Sequence, residues 1–361
     1  MKIGITGGAG QFGFHLRCRL THVAGHEVAI AGRDIFADSV KLGAFVKDCD
    51  AIVHLAGVNR GADSEVRDGN LAPARDLAAA ISDNGVSPLI VYASSIQRDL
   101  SNVYGDAKAD AADILAAIGS PFCEIVLPNL FGEYTRPNYN SFVATFCHQI
   151  AAGDRPGIHG DNPVELMHYS EAAEIFADAL ESRSSGQLRP SGRETSVAAV
   201  AGKIAAMHAD YRDGIVPDLR DSFDLDLFNT YRSVLFPAAY PFALERRADQ
   251  RGSLFECVKE RNGGQCFFST TLPGITRGNH FHFHKVERFV VLAGTARISI
   301  RRLFSDVTVD FDVNGKEPVF VDMPTLHTHN ITNTGDGELL TLFWSHDIFD
   351  PDNPDTYAET V

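Results

Sequence analysis

The chain has 361 residues, 32 Lys and Arg against 47 Asp and Glu, a net charge of −15, 44% hydrophobic residues and 22% charged ones. At ~150 residues per domain that length suggests about two domains, and the composition is that of a folded globular chain, not a disordered one. The acidic balance argues against a surface that coats nucleic acid or anionic membrane, while leaving room for a local basic pocket. No stretch approaches the ~18 consecutive apolar residues that a membrane helix needs. The opening MKIGITGGAG breaks into glycines too early for a secretion signal. Six cysteines at positions 18, 49, 123, 147, 257 and 266, with no CxxC pair, read as reduced thiols of a cytoplasmic protein.

In chain order, Lys2–Thr6 reads as a strand, followed by glycines and a helix from Gln11 to Val23. Glu27–Ala31 and Ala51–Leu55 are strands, Pro73–Asn84 an Ala-rich helix, Leu89–Tyr92 a strand, Tyr104–Ile118 a helix, and Cys123–Leu127 a strand. Strands alternating with helical patterns of this length predict βαβ units and a doubly wound parallel sheet of the Rossmann type. Beyond about residue 240 the texture changes to short strands bounded by turn residues: 265–271, 288–292, 296–302, 307–313, 319–322 and 339–344. That pattern predicts an all-β sandwich or barrel. The stretch 236–249, with two prolines, is the expected junction, giving domains at 1–240 and 241–361.

Gly7, Gly10 and Gly13 form a GxxGxxG turn between the first strand and first helix, enclosing Gln11 and Phe12. Glycines there let the backbone approach a pyrophosphate, which sits on the open N–H groups of the helix N-terminus. About twenty residues on, an acid would hold a ribose 2′-OH and an Arg would accommodate a 2′-phosphate. The chain offers Arg33 and then Asp34; Arg33, first after Gly32, leans the reading to NADPH and leaves NADH open. Tyr104 and Lys108, four apart, share a helix face, with Ser94 and Ser95 just past the preceding strand. A lysine ammonium beside the phenol is expected to lower its pKa, so that Tyr104 can pass the proton that accompanies hydride transfer.

Glycine turn, serine pair and YxxxK together resemble the extended short-chain dehydrogenases/reductases over roughly residues 1–240. The resemblance implies that Tyr104 is the acid/base, Lys108 its orienter and a ribose ligand, and Ser95 or Ser94 the donor to the substrate carbonyl. Leu55, Ala56 and Gly57, in HLAGVNR, would line the cofactor.

In the second domain, GITRGNHFHFHKVERFVVLAG runs from Gly274 to Gly294. Period-2 geometry places His280, His282 and His284 on one side of a strand and Phe281 and Phe283 on the other. Imidazoles facing a barrel interior with no metal or acid partner would be costly, and three His with one carboxylate suit zinc or another divalent ion. His280, His282 and Glu287 resemble the first metal motif of the cupin family; Pro324, His329 and Asn333 resemble the second, which departs at Leu326, where Gly is usual. His284 and His327 are spare candidates. Asp249-Gln250-Arg251-Gly252 and GITRGNH also resemble the metal-free sugar-nucleotide 3-epimerases of the cupin class, in which the His at the place of His280 is a general base. With His280 taken as a ligand, the epimerisation base stays open among His282, His284 and Lys285.

From the glycine turn to FDPDNPDTY, through PNLFG, RPNYNS, FVATFC and THNI, the chain resembles the CapF-like bifunctional enzymes of bacterial capsule and O-antigen sugar synthesis. The resemblance implies C3 epimerisation in a zinc cupin (a jelly roll). NADPH-dependent C4 reduction of a UDP-4-keto-2-acetamido-2,6-dideoxyhexose would follow in the first domain of a homodimer. The product would be UDP-2-acetamido-2,6-dideoxy-L-talose, a precursor of UDP-N-acetyl-L-fucosamine. Asn59, Asn129, Arg136, Asn138, Tyr139, Asn140 and Arg277 suit the diphosphate and sugar hydroxyls. An epimerase or dehydratase that retains NAD is the alternative, and a dinucleotide-sensing, sugar-binding regulator a further one. Ser95-Ile96-Gln97 lacks the acidic pair expected of the dehydratases.

Overall fold

A computed structural model describes residues 1–158, 160–250 and 252–361. Residues cluster into two compact units, one of 1–145 with 158–197 and one of 146–157 with 198–361. Among the described residues no helix is long and apolar enough to cross a membrane.

The first unit holds a six-stranded parallel sheet in the order Glu27–Ala31, Lys2–Thr6, Ala51–His54, Leu89–Ser95, Phe122–Leu127, Gly186–Leu188. Its strands are nearly continuous runs of apolar residues because both faces are covered. Val53 and Val91 join Leu16, Leu20 and Phe176 on one face, while Ile52 and Ile90 join Phe45, Leu77 and Leu115 on the other. The chain order reverses across Lys2–Thr6, so the crevice for a ligand opens at the carboxyl ends of the strands beside it. The helix expected from Pro73 begins ten residues earlier, at Asp63, and contains the proline. Pro is favoured at a first helical position, which made the misplaced start attractive; here the helix tolerates an interior proline instead.

The second unit carries two antiparallel five-stranded sheets. One runs Phe242–Ala243, Val319–Met323, Glu287–Ala293, Leu339–Ser345, Gln265–Thr271, and the other Thr308–Asn314, Thr295–Arg302, His327–Asn333, Thr276–Phe281, Tyr357–Ala358. Phe289, Val291, Ile298, Ile300, Phe320, Ile331 and Phe343 fill the space between them. The parallel sheet followed by this sandwich is the fold class the sequence predicted.

The boundary expected near residue 240 falls inside the second unit. The helix Ser222–Leu235 and the end of Val197–Arg212 are bonded to the β-sandwich through buried polar groups. Arg232 donates to the Met323 carbonyl (2.8 Å) and to Asn229 (2.8 Å), whose amide donates to the His284 carbonyl (2.9 Å). Tyr211 donates to Asp322 (2.5 Å), which holds Arg288 through two bonds of 2.7 and 2.9 Å. Buried charges require such partners, and those partners tie the helices to the sandwich.

Candidate active site and metal centre

A cleft of about 340 Å³ opens at the carboxyl ends of the first unit's strands. The glycine turn forms its floor. Gly7 has φ +71° and a Cβ there would lie 2.9 Å from the Ala56 nitrogen; a Cβ on Gly13 would lie 2.7 Å from Gly8 Cα. Only hydrogen fits at either place. The helix Gln11–His22 starts from Gly10 with no side-chain cap and no acid in its first turn, which leaves N–H groups and a positive dipole end for an anion. Thr6 Oγ1 accepts from the Ala56 N–H (3.2 Å) and pairs with His54 Nδ1 (2.9 Å), fixing the 54–56 segment beside the turn.

The serine pair and the Tyr–Lys pair expected from the sequence line the same cleft: Ser94, Ser95, Tyr104 and Lys108, together with Gly7, Gly10, Gln11, Phe12, Gly13 and Leu55. Tyr104 and Lys108 sit on the helix Val103–Ala116, capped by Asn102 through Gly105 N–H (2.9 Å). The Lys108 ammonium donates to the Ala93 carbonyl (2.9 Å) and lies 5.8 Å over the Tyr104 ring. Burial, opposed by Glu124, lowers Lys108 to about 8, and burial raises Tyr104 to about 12. The expected lowering of the phenol pKa is therefore not found: the lysine spends its charge on Ala93 and sits over the ring, while desolvation of the phenolate dominates. Ser94 is buried and its hydroxyl has no hydrogen-bond partner among the described residues. Ser95 accepts from the Gln97 N–H (3.3 Å), capping a short 3₁₀ turn, and keeps its own O–H for donation.

Asn59, Asn129, Arg136, Tyr139 and Asn140 also line the cleft, and the Arg136 guanidinium stacks 5.7 Å from the Tyr139 ring centroid. Asn138 takes φ +56° in this loop and its carbonyl, like that of Tyr139, accepts from Arg60. Ala56, half-buried, and Gly57, exposed, are not among the lining residues, although a Cβ on Gly57 would fall 3.6 Å from Lys108 Nζ. Arg33 and Asp34 are both exposed in the short helix after the second strand. Thr135, Ser141 and Tyr169 also line the cleft, with Ala93, Gln97, Leu127, Pro128 and Leu130; Thr135 and Ser141 flank the Arg136–Asn140 run, whereas Tyr169 comes from a distant segment that no spacing rule linked to the cleft.

In the second unit, His280, His282, Glu287 and His329 bring one ligand atom each to within 4.8 Å of one another. His280 and His329 are register partners on adjacent strands, and Glu287 comes from the opposite sheet. Glu287 Oε2 lies 3.2 Å from His282 Nε2, 3.2 Å from His329 Nε2 and 3.8 Å from His280 Nε2. Burial drives the Glu287 carboxyl up, but the three imidazoles hold it well below the usual range; burial lowers His329 to about 4. His282 Nδ1 donates to the Asp355 carbonyl (2.5 Å) and His329 Nδ1 to the His327 carbonyl (3.1 Å). A carbonyl can only accept, so Nδ1 carries the proton in the neutral form of both rings, and it is Nε2 that is then available to a metal at the shared point. This donor set fits a divalent ion.

His284 does not share that face. The strand ends at Phe281, the chain turns, and His284 lies 3.9 Å from Asp226, because alternation stops where the ladder stops. Lys285 donates to the Pro354 carbonyl (2.6 Å). His327 is buried outside the cluster, its Nδ1 on the Thr325 carbonyl (3.1 Å). Leu326 makes the turn where Gly is usual, with φ +58°. Pro324 lies in the same loop, and the buried Asn333 braces the strand end through the Thr271 and Gly337 carbonyls (2.8 Å each). Arg277 binds Thr271 Oγ1 (3.0 Å) and the Thr270 carbonyl (3.1 Å) within the sandwich. Asp249 and Gly252 close a small hairpin; Arg251 lies outside the described residues.

Residues 3–190 match the NAD dependent epimerase/dehydratase family, and residues 247–357 match the polysaccharide biosynthesis C-terminal domain. The chain is 32% identical, over its whole length and 99% of the relative's, to UDP-2-acetamido-2,6-beta-L-arabino-hexul-4-ose reductase of Pseudomonas aeruginosa. Among solved structures it is similar to the capsular polysaccharide assembling protein CapF from Staphylococcus aureus, at 31% identity and TM-score 0.65. A second similar structure is CapF with the inhibitor 3-isopropenyl-tropolone, at 29% and 0.58; both cover 100% of each chain. The protein thus belongs to the NAD-dependent epimerase/dehydratase family, in a CapF-like form that carries a second, β-sandwich unit.

Proposed function

We propose that this is a bifunctional nucleotide-sugar enzyme that epimerises C3 and then reduces C4 of a UDP-4-keto-2-acetamido-2,6-dideoxyhexose. The product would be UDP-2-acetamido-2,6-dideoxy-L-talose, on the way to UDP-N-acetyl-L-fucosamine, made by a homodimer. The observation that carries the reductase is the convergence of Tyr104, Lys108 and the Ser94–Ser95 pair on the cleft floored by the glycine turn. NADPH, when bound, supplies the hydride to C4; Arg33 would meet its 2′-phosphate. Tyr104, with its pKa raised to about 12, holds its proton at neutral pH and gives it to the sugar O4 as the carbonyl becomes an alcohol. Ser95 or Ser94 donates to that oxygen, and the Lys108 ammonium orients the ribose. Asn59, Asn129, Arg136, Asn138, Tyr139 and Asn140 would hold the UDP-sugar, with Arg277 recognising it in the second unit.

Zinc, when bound by His280, His282, Glu287 and His329, supplies Lewis acidity that lowers the cost of negative charge on a sugar oxygen. The C3 proton is acidic only while C4 is a ketone, so inversion precedes reduction. The test follows NADPH oxidation at 340 nm with freshly generated UDP-4-keto-6-deoxy-N-acetylhexosamine, beside NADH and the Tyr104→Phe variant. Faster oxidation with NADPH that vanishes in the variant supports the reading. No oxidation by a folded protein with bound nucleotide sinks it.

A further inference from the structure

The four proposed ligands lie at residues 280–329, yet the bond that sets the tautomer of His282 comes from the far C-terminal end. Asp355 spends every acceptor it has on the segment that carries His282. Its Oδ1 accepts from the Phe283 N–H (2.9 Å), and its Oδ2 from the N–H groups of His284 (2.9 Å) and Lys285 (2.8 Å). Its own carbonyl accepts from His282 Nδ1 (2.5 Å). Asp355 stands at φ +41°, a conformation that a side chain resists unless something holds it. The three N–H bonds hold it, and they turn the carbonyl onto the imidazole.

The neighbours of Asp355 reinforce the grip. Lys285 donates to the Pro354 carbonyl (2.6 Å) and reaches Thr356 Oγ1 (3.4 Å). Tyr357 and Ala358 pair as a strand with Phe281 and His280, so the tail also lies along the strand that delivers the first ligand. The Tyr357 ring stacks on Phe281 at 5.4 Å and meets Phe283 edge-on at 5.1 Å.

We propose that Asp355 is a positioning residue for His282 and that 354–358 is a strap whose docking sets the metal affinity of the site. The inference rests on the metal reading above. Outer partners of metal-bound imidazoles fix ring orientation and tautomer, and losing one costs roughly 10–100-fold in affinity. Removing the carboxylate frees the peptide to relax from positive φ, and its carbonyl swings off His282. In Asp355→Asn, an amide N–H₂ must face at least one of the same three N–H donors, so the bond set breaks while the residue type still tolerates the conformation.

The experiment uses the full chain as wild type, Asp355→Ala, Asp355→Asn, His329→Ala and, as a distant control on the sandwich, Asp312→Ala. Zn²⁺ affinity is read by competition with a chromophoric chelator, and ligand geometry by the visible spectrum of the Co²⁺-loaded protein. Both Asp355 variants are expected to bind Zn²⁺ about 10–100-fold more weakly and to show a changed Co²⁺ spectrum at saturation, with Asp312→Ala like wild type. If Asp355→Ala does not fold, Asp355→Asn gives the reading. A folded Asp355 variant with wild-type Zn²⁺ affinity and Co²⁺ spectrum overturns the strap while leaving the metal site standing. A wild type that takes up no more metal than His329→Ala overturns the metal reading, and the strap with it.

Discussion

Lys108 is the residue whose cost to the fold is most directly measurable. It is buried, its ammonium donates to the Ala93 carbonyl, and burial lowers it from 10.5 to about 8. A basic group with a depressed folded pKa binds fewer protons folded than unfolded between the two values, so stability rises with pH across that window. The penalty is complete below about pH 8 and gone above about 10.5. At ~1.4 kcal/mol per pH unit, the 2.5-unit difference is about 3 kcal/mol at pH 7, shrinking below about 1 by pH 10. Lys108→Met keeps the length of the stem and discards the charge. The bond to Ala93 is lost, ~1 kcal/mol, so the variant should be more stable than wild type at pH 7 by about 2 kcal/mol and reductase-dead. The assay is urea unfolding of the nucleotide-free protein at pH 7, 8.5 and 10, followed by far-UV circular dichroism. Trp344, the single tryptophan, lies in the second unit, so its fluorescence separates that unit's transition. Subtracting the variant removes the cysteine and tyrosine titrations common to both. Equal pH slopes for the two proteins, or a variant less stable than wild type at pH 7, would refute the reasoning.

Four more outcomes are expected. Asp322→Ala strands the buried Arg288 guanidinium, which now has two carboxylate bonds, and should cost the second unit about 3–5 kcal/mol by Trp344 fluorescence. Arg297→Ala, breaking the solvent-exposed pair with Asp312, should leave that transition where it was. Tyr104→Phe should lose NADPH oxidation by at least about 10²-fold while still exchanging the substrate's C3 proton with D₂O by NMR; loss of both together would place the epimerisation at the Tyr104 site. Glu287→Gln removes the one carboxylate of the metal set, and elemental analysis after dialysis should find less than stoichiometric metal where wild type retains it.

The parallel sheet was legible because strands covered on both faces are apolar throughout, and the glycine turn because Gly7 and Gly13 sit where a Cβ has no room. Of the four clustered side chains, His280 followed from strand alternation and His282, one residue past the ladder's end, still keeps that face, while Glu287 and His329 came from the resemblance to the cupin motifs; His284 was misread because the chain has turned by then. Tyr104 and Lys108 followed from helical spacing, but the direction of the phenol's shift did not, since burial depends on the whole cleft. The attachment of 198–235 to the sandwich was illegible for a similar reason. Its signal is the partnership of Tyr211, Asp322 and Arg288, residues over a hundred positions apart at the extremes.

The proposed reaction requires a chain of net charge −15 to hold two anions, a dinucleotide phosphate and a UDP-sugar. The cleft solves this locally. Its described lining contains no Asp or Glu, its charged members are Lys108 and Arg136, and the uncapped N-terminus of Gln11–His22 adds a positive dipole end. The carboxylate nearest in function, Glu124, is turned away onto Arg98 and Gln187, the latter at 2.7 Å. Charges farther off than about 8–10 Å are screened at physiological salt, so the acidic exterior weighs on encounter rates and solubility more than on the bound state. Binding can therefore depend on the few groups in the cleft. On the proposed reaction, Arg136, stacked on Tyr139 and held in a loop pinned by Arg60, is then the side chain whose replacement should weaken binding of the sugar diphosphate most, as a rise in KM for Arg136→Ala would show.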